Sequence, residues 1–323
     1  VPPERLVLHG NNKAEWELRA ALDAGVGRIV VDSLDELDRI ESLVAAGLPR
    51  PKVLLRVNPG IEVHTHEHVR TGVLDSKFGF PLPTGQAQDA VARAGGSGAV
   101  ELVGLHVHIG SQVFSVANFL EGLEAMAPFV VAQDLPELIV GGGLGVAYVE
   151  GEEAPTLSTW GAALRRACRE AGIRASVAAE PGRAIAAQAA VTLYTVGTIK
   201  EIPGVRTYVA VDGGMSDNPR PVLYGSGYET FLPRSVDARR ALPIRLVGKH
   251  CESGDLLVRE GRVPADLRVG DLVATPVTGA YGHSMGSNYN KVFRPPVVFV
   301  RDGDARVVVR RETIADLLAT DLG

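Results

Sequence analysis

Cysteine is almost absent from this chain of 323 residues. Cys168 and Cys251 make at most one pair, which in a chain this long is no disulfide framework, and the cytoplasm is the default compartment. No stretch approaches eighteen consecutive apolar residues, and no charged start leads into an apolar run and a small-residue cleavage site. Neither a membrane span nor a secretory signal is expected. A basic patch is also lacking: 33 Lys and Arg are scattered among 38 Asp and Glu, for a formal net charge of -5, so no nucleic-acid surface is expected. With 46% hydrophobic and 22% charged residues, disorder is excluded and the chain can bury one large core or two smaller ones. The opening PPERLVLHG reads as the middle of a longer sequence, and an N-terminal piece is expected to precede Val1.

Up to about residue 190, short apolar runs alternate with helical patterns, as in repeated βα units around a parallel sheet. The runs are Leu6 to His9, Arg28 to Asp32, Val53 to Val57, Leu102 to Ile109, Leu138 to Val140 and Ala175 to Ala179. Amphipathic stretches separate them: Ala14 to Ala24, Leu34 to Ala46, Gln86 to Ala94, Asn118 to Ala132 and Leu157 to Ala171. Glycine or polar chemistry follows each run, which suits a (β/α)₈ barrel with its site at the C-terminal face. Such a barrel needs two more strands upstream; the six seen would complete an open doubly wound sheet. After residue 190 the pattern becomes β-branched with period two, at Val191 to Val196, Thr207 to Asp212, Ile244 to Gly248, Asp271 to Thr275 and Val297 to Val300. The expected domains are a barrel over 1–192 and a β-barrel domain over 193–323, closed by a short helix from Arg311 to Leu318.

Several strings carry chemistry. GGGLG at Gly141 to Gly145 follows an apolar run, so its amides could meet an anion, although such clusters are also plain tight turns. It does not match a dinucleotide fingerprint. EPGR puts the Glu180 carboxylate and the Arg183 guanidinium at a strand end, with Pro181 and Gly182 holding the turn; a purely structural ion pair is the alternative. His106 and His108 stand two apart on a strand and face the same way. HTHEH at His64 to His68 resembles a metal cluster, but no further Cys or His follows at zinc-like spacing, and a polar loop with no metal is the better reading. Cys251 lies in KHCESGD among charged neighbours, which suggests an exposed functional thiol, whereas Cys168 in RRACREAG reads as a packed helix residue. DGGMSDNPRP and GAYGHSMGSNYN are long polar loops of the kind that carries function.

Taken in order, HGNNK, VDS, RVNPG, SKFGF, GLHVHIGSQ, GGGLG, EPGR, DGGMSDNPRP, GKHCESGD and GAYGHSMGSNYN resemble the diaminopimelate decarboxylase family of fold type III, alanine-racemase-like decarboxylases. The resemblance runs from about His9 to the C-terminus. It implies a pyridoxal 5'-phosphate barrel fused to a β-barrel domain, working as a homodimer that removes CO₂ from meso-2,6-diaminopimelate to give L-lysine. By the same resemblance, Gly141, Gly142, Gly143 and Ser111 would hold the cofactor phosphate and His108 would stack on the pyridine ring. Glu180 would pair with the ring nitrogen, keeping it protonated and the ring a good electron sink. Pro181 and Gly182 complete the cofactor contacts, while Arg183, Arg220 and Tyr224 resemble the clamp on the substrate's distal carboxylate. Tyr281 would touch cofactor and substrate. Cys251, as the acid returning a proton to the α-carbon, and Glu252, reading the distal ammonium, would reach the site from the partner subunit.

One family feature is missing. The lysine that holds the cofactor covalently belongs to a Tyr-x-x-Lys-Ala context on the first barrel strand, and none of Lys13, Lys52, Lys77, Lys200, Lys249 and Lys291 has it. The expectation is that this lysine lies in the same absent segment as the two strands, and that the 323-residue chain alone is inactive. Two alternatives stay open: a sister decarboxylase acting on ornithine, arginine or carboxynorspermidine, and a non-catalytic homologue that regulates a decarboxylase.

Overall fold

The structure is a computed structural model that describes residues 1–61 and 74–323; the histidine-rich run at 64–68 lies outside the described residues. The chain forms two units, one of residues 1–146 and 154–182, the other of residues 147–153 and 183–323.

The first unit is built on a parallel sheet of seven strands. They are β1 (Val7–Leu8), β2 (Arg28–Val31), β3 (Lys52–Asn58), β4 (Phe80–Pro81), β5 (Glu101–Val107), β6 (Glu137–Ile139) and β7 (Ser176–Ala178). Apolar runs such as Ile29 to Val31 and Val53 to Leu55 are buried throughout, as expected of strands covered on both faces. The strand order β1-β2-β3-β5-β6-β7 follows the chain without a reversal, and only β4 stands off this path, on the end of β3. A doubly wound sheet reverses at its switch point, so the sequential order is that of a half-barrel.

Five helices alternate with the strands: α1 (Glu15–Asp23), α2 (Leu34–Ala45), α3 (Gln86–Gly95), α4 (Val116–Gln133) and α5 (Leu157–Glu170). Ser33 caps α2 by accepting the amide of Glu36, and Thr156 caps α5 by accepting that of Thr159 at 3.0 Å, which satisfies a donor the helix cannot. α2 buries Leu37, Ile40 and Leu43 at helical spacing, and truncating one such leucine to alanine costs about 2–5 kcal/mol. α4 and α5 meet through Phe119 and Trp160, edge to face at 5.4 Å. Lys13 pins the β1–β2 end of the sheet. Its ammonium donates to Gly10 O, Val30 O and Glu36 Oε1, each at 2.7 Å, so all three of its protons are used.

Following α6 (Gly182–Ala186), the second unit contains a mixed sheet in the order β11-β10-β9-β8-β12. Its strands are β8 (Val191–Ile202), β9 (Arg206–Val211), β10 (Leu242–Val247), β11 (Leu256–Val263) and β12 (Leu272–Pro276). A separate hairpin joins β13 (Val297–Arg301) to β14 (Asp304–Val309). Short helices α7 (Arg220–Tyr224), α8 (Gly282–Met285) and α9 (Ile314–Leu318) sit in the connections. The charged sequence LLVREGRV of β11 shows no clean alternation, yet it pairs with β10 across register shifts near Ile244 and Leu246.

Candidate active site

In the barrel unit the polar residues gather at the C-terminal strand ends. Pairing of β3 with β5 sets Arg56 opposite His106, and pairing of β5 with β6 sets His106 opposite Ile139. His106 Nε2 lies 3.2 Å from Glu180 Oε2, and His9, just past β1, brings its Nε2 to 2.9 Å from Glu180 Oε1. The two imidazoles meet edge to face at 4.9 Å. Their ligand atoms and the carboxylate's lie within 4.8 Å of one another, but both rings already hydrogen-bond the carboxylate, and the cluster is complete as a triad. Burial opposes ionisation of Glu180. The hydrogen bonds from His106 and His9, together with their positive potential, outweigh it and hold the carboxyl well below the usual carboxylate range. Two lone-pair sites of an anionic carboxylate remain, and a third of the side chain is accessible.

Behind the triad lies a second polar layer. Asp32, buried after β2, accepts the amide of Gly79 at 3.0 Å and stands 3.9 Å from Arg56 Nε, while the Arg56 guanidinium covers the Phe78 ring at 4.4 Å. VDS, RVNPG and SKFGF are thus knitted together around one buried ion pair.

His108 follows β5. It accepts the amide of Gly142 at Nδ1 (3.2 Å), which places the ring proton of the neutral form on Nε2. Burial, and then the nearby Arg56 charge, push its pKa down to about 4, so the ring is neutral at neutral pH. The glycines beside it are required by backbone packing. A Cβ on Gly142 would lie 2.0 Å from Glu180 O, and one on Gly143, which is left-handed at φ +95°, would lie 1.9 Å from Gly110 O. The loops after β5 and β6 zip together: Val113 N donates to Gly143 O and Gly145 N to Val113 O, each at 2.9 Å. Ser111 lies in the first of these loops, and Gly141 O accepts the Glu180 amide at 2.7 Å. Gly182 N donates back to Glu180 O across Pro181, which closes the EPGR turn.

Within the C-terminal unit two buried guanidiniums, Arg183 and Arg220, stand among tyrosines. Arg183 Nη1 donates to the Tyr148 hydroxyl at 2.8 Å and its guanidinium covers the Tyr281 ring at 4.7 Å. Arg220 donates through Nε to the Tyr228 hydroxyl (2.9 Å) and through Nη2 to Ser226 Oγ (3.1 Å), with the rings of Tyr148, Tyr224 and Tyr281 at 4.9, 5.7 and 5.9 Å. No carboxylate pairs with Arg220 among the described residues. Tyr281 is held at φ +67°, a conformation rare for a tyrosine and characteristic of functional sites.

Cys251 and Glu252 lie exposed on the loop between β10 and β11. Asp255 anchors that loop, accepting the backbone amides of His250 (2.8 Å) and Met215 (2.7 Å). His250 Nε2 pairs with Ser216 Oγ at 3.0 Å, and the Tyr289 hydroxyl donates to Glu252.

His9 as the second donor to Glu180, Arg56 with Asp32, and the hydroxyls of Tyr148, Tyr228 and Ser226 lie outside the site residues that the sequence motifs singled out. For His9 a signal existed, since HGNNK sits at a strand end like HIGS and EPGR. Nothing local marked the tyrosines.

Residues 1–187 match the family described as pyridoxal-dependent decarboxylase, pyridoxal binding domain. The chain is 49% identical over 329 residues to diaminopimelate decarboxylase of Actinosynnema pretiosum, with 99% of this chain and 74% of the relative covered. Against the enzyme of that name from Mycobacterium tuberculosis it is 44% identical over 340 residues, with 99% and 76% covered. Its fold is similar to the crystal structure of Helicobacter pylori diaminopimelate decarboxylase complexed with L-lysine, with a TM-score of 0.89 and 31% identity across 99% of this chain and 79% of that one. These likenesses span both units, and the chain belongs to the diaminopimelate decarboxylase family of pyridoxal-dependent decarboxylases.

Proposed function

We infer that this protein is a carboxy-lyase that removes CO₂ from meso-2,6-diaminopimelate to give L-lysine, with pyridoxal 5'-phosphate as its cofactor, in the lysine biosynthesis of a bacterial cytoplasm. The observation that carries the reading is Arg220: a buried guanidinium with neutral hydrogen-bond partners and no carboxylate partner among the described residues, with a second buried guanidinium, Arg183, over the same tyrosine rings. A buried guanidinium of this kind, Arg220, is suited to an arriving anion, and a planar carboxylate is the matching partner.

The residues of the barrel unit fit the cofactor. An ionised carboxylate with lone pairs to spare suits a protonated pyridine nitrogen, which assigns that role to Glu180. The neutral His108 ring can lie against the pyridine without charge repulsion, and Gly141, Gly142, Gly143 and Ser111 would hold the phosphate, with Gly142 also fixing His108. When bound, the cofactor supplies an electron sink for the pair left behind as the bond to the leaving carboxylate breaks. Glu180 keeps that sink protonated, and His9 and His106 keep Glu180 ionised. Arg183, Arg220 and Tyr224 hold the carboxylate that stays with the product, while Tyr281 packs against the clamp. Cys251 returns a proton to the α-carbon, and Glu252 reads the distal ammonium. Their exposure supports a homodimer in which each subunit lends them to its partner.

Release of CO₂ and L-lysine from meso-diaminopimelate, compared with L-ornithine and L-arginine, tests the assignment. Turnover of the diaminopimelate alone is expected, and equal turnover of ornithine would overturn it. Cys251→Ala in the holoenzyme is expected to cut turnover sharply while leaving cofactor absorbance intact; unchanged turnover would remove Cys251 from the proton step.

A further inference from the structure

Tyr148 belongs to the short segment 147–153 that follows the glycine turn of the barrel unit in sequence yet packs as part of the C-terminal unit. The segment is rigidly seated. Glu152 accepts the Tyr148 amide at 2.7 Å, Glu229 accepts the Glu150 amide at 3.0 Å, and Val149 lies so close to Gly227 that a Cβ there would meet it at 2.8 Å. The Tyr148 ring is buried, edge-on to Tyr228 at 5.2 Å and beneath the Arg220 guanidinium at 4.9 Å. Its hydroxyl therefore has a fixed position.

That hydroxyl oxygen accepts a proton from Arg183 Nη1 at 2.8 Å. A phenol that accepts from a cation turns its own O–H away, and no residue among the described ones accepts that proton. Arg220 likewise spends two of its five donors, on Tyr228 and Ser226, and keeps the rest.

We propose that Tyr148 is a further substrate-binding residue, donating its hydroxyl proton to the carboxylate held by Arg183 and Arg220 and so favouring ligands that carry that carboxylate. The proposal rests on the reading of Arg183 and Arg220 as the distal-carboxylate clamp. A tyrosine that only positioned Arg183 would make one bond; this one bridges the guanidinium and the ligand.

Equilibrium binding to the holoenzyme separates the possibilities, with L-lysine, which retains the clamped carboxylate, and cadaverine, which is lysine without it. Tyr148→Phe keeps the ring and its packing. It is expected to weaken L-lysine about tenfold, the loss of one hydrogen bond to a charged group, while cadaverine binds as before and KM for diaminopimelate rises more than kcat falls. Arg220→Lys serves as the reference. If Arg220→Lys weakens L-lysine and Tyr148→Phe does not, the role of Tyr148 is refuted and the clamp stands. If neither variant weakens it, the clamp reading itself fails. Equal weakening of both ligands by Tyr148→Phe, with a lowered melting temperature, would make Tyr148 a packing residue and overturn the proposal.

Discussion

The neutral state of His108 has a measurable consequence for acid stability. Its pKa is pushed from the ordinary 6.5 to about 4 in the folded chain, so between those values the unfolded chain binds a proton that the folded chain refuses. A depressed value stabilises the fold fully above 6.5, and the contribution is lost as pH falls towards 4. Linkage puts the loss between about pH 7.5 and about pH 5 at about 2 kcal/mol, since the unfolded imidazole is then largely protonated and the folded one is not. Protonation would also forfeit the bond from the Gly142 amide, because an imidazolium has no lone pair to accept it. Urea unfolding at the two pH values can be followed by tryptophan fluorescence: Trp160 is 2% exposed and reports the barrel unit, whereas Trp16 is 72% exposed and contributes little change. His108→Asn keeps an acceptor near the Nδ1 position and cannot titrate. The variant should lose about 2 kcal/mol less than the wild type over this interval. The comparison also cancels the contribution of His106, which burial pushes in the same direction. Identical losses in the two proteins would refute the depressed value and, with it, the neutral ring expected to face the cofactor.

Two further substitutions probe the same strand ends. Gly142→Ala would set a methyl 2.0 Å from the Glu180 carbonyl oxygen, a backbone atom that cannot swing aside; a loss of about 1–3 kcal/mol or more and failure to take up pyridoxal phosphate are expected, and normal uptake by absorbance would refute the packing account. Glu180→Gln removes the charge that His9 and His106 hold in place, and kcat is expected to fall about 100-fold with the protein still folded; activity within twofold of wild type would dismiss the ring-nitrogen role. The acid limb gives an independent check on Glu180. Its carboxyl is lowered from 4.5, so its contribution is present above that value and lost as pH falls through the lower folded one, and the stabilities of wild type and Glu180→Gln should converge in strong acid.

The six apolar runs of the barrel half became strands at their expected places; in β2, β3, β5 and β6 burial on both faces leaves few other uses for Val, Ile and Leu at that density, whereas the exposed β1 and β7 are held by their parallel pairing. The charged strand β11 and the two-residue β4 escaped notice: one is defined by its partner β10 and the other by the end of β3, and neither carries its own pattern. EPGR and GLHVHIGS were legible as chemistry since each places polar groups at the end of an apolar run. Their contact was not. Residues 74 apart in sequence become a hydrogen-bonded pair only because β5, β6 and β7 lie side by side.

Composition, periodicity and the ordered motifs thus determined the class of fold, the family and most of the residues to inspect, since these depend on local pattern and on strings that survive as strings. Tertiary structure decided what each residue does there. It turned two histidines and a glutamate into one ionised triad, made Lys13 a buried pin, spent the Gly142 amide on His108, and brought Tyr148 and Tyr228 to two guanidiniums distant from them or from each other in the chain. Charge state, tautomer and donor count follow from neighbours in space, and a linear sequence does not contain them until the chain has folded.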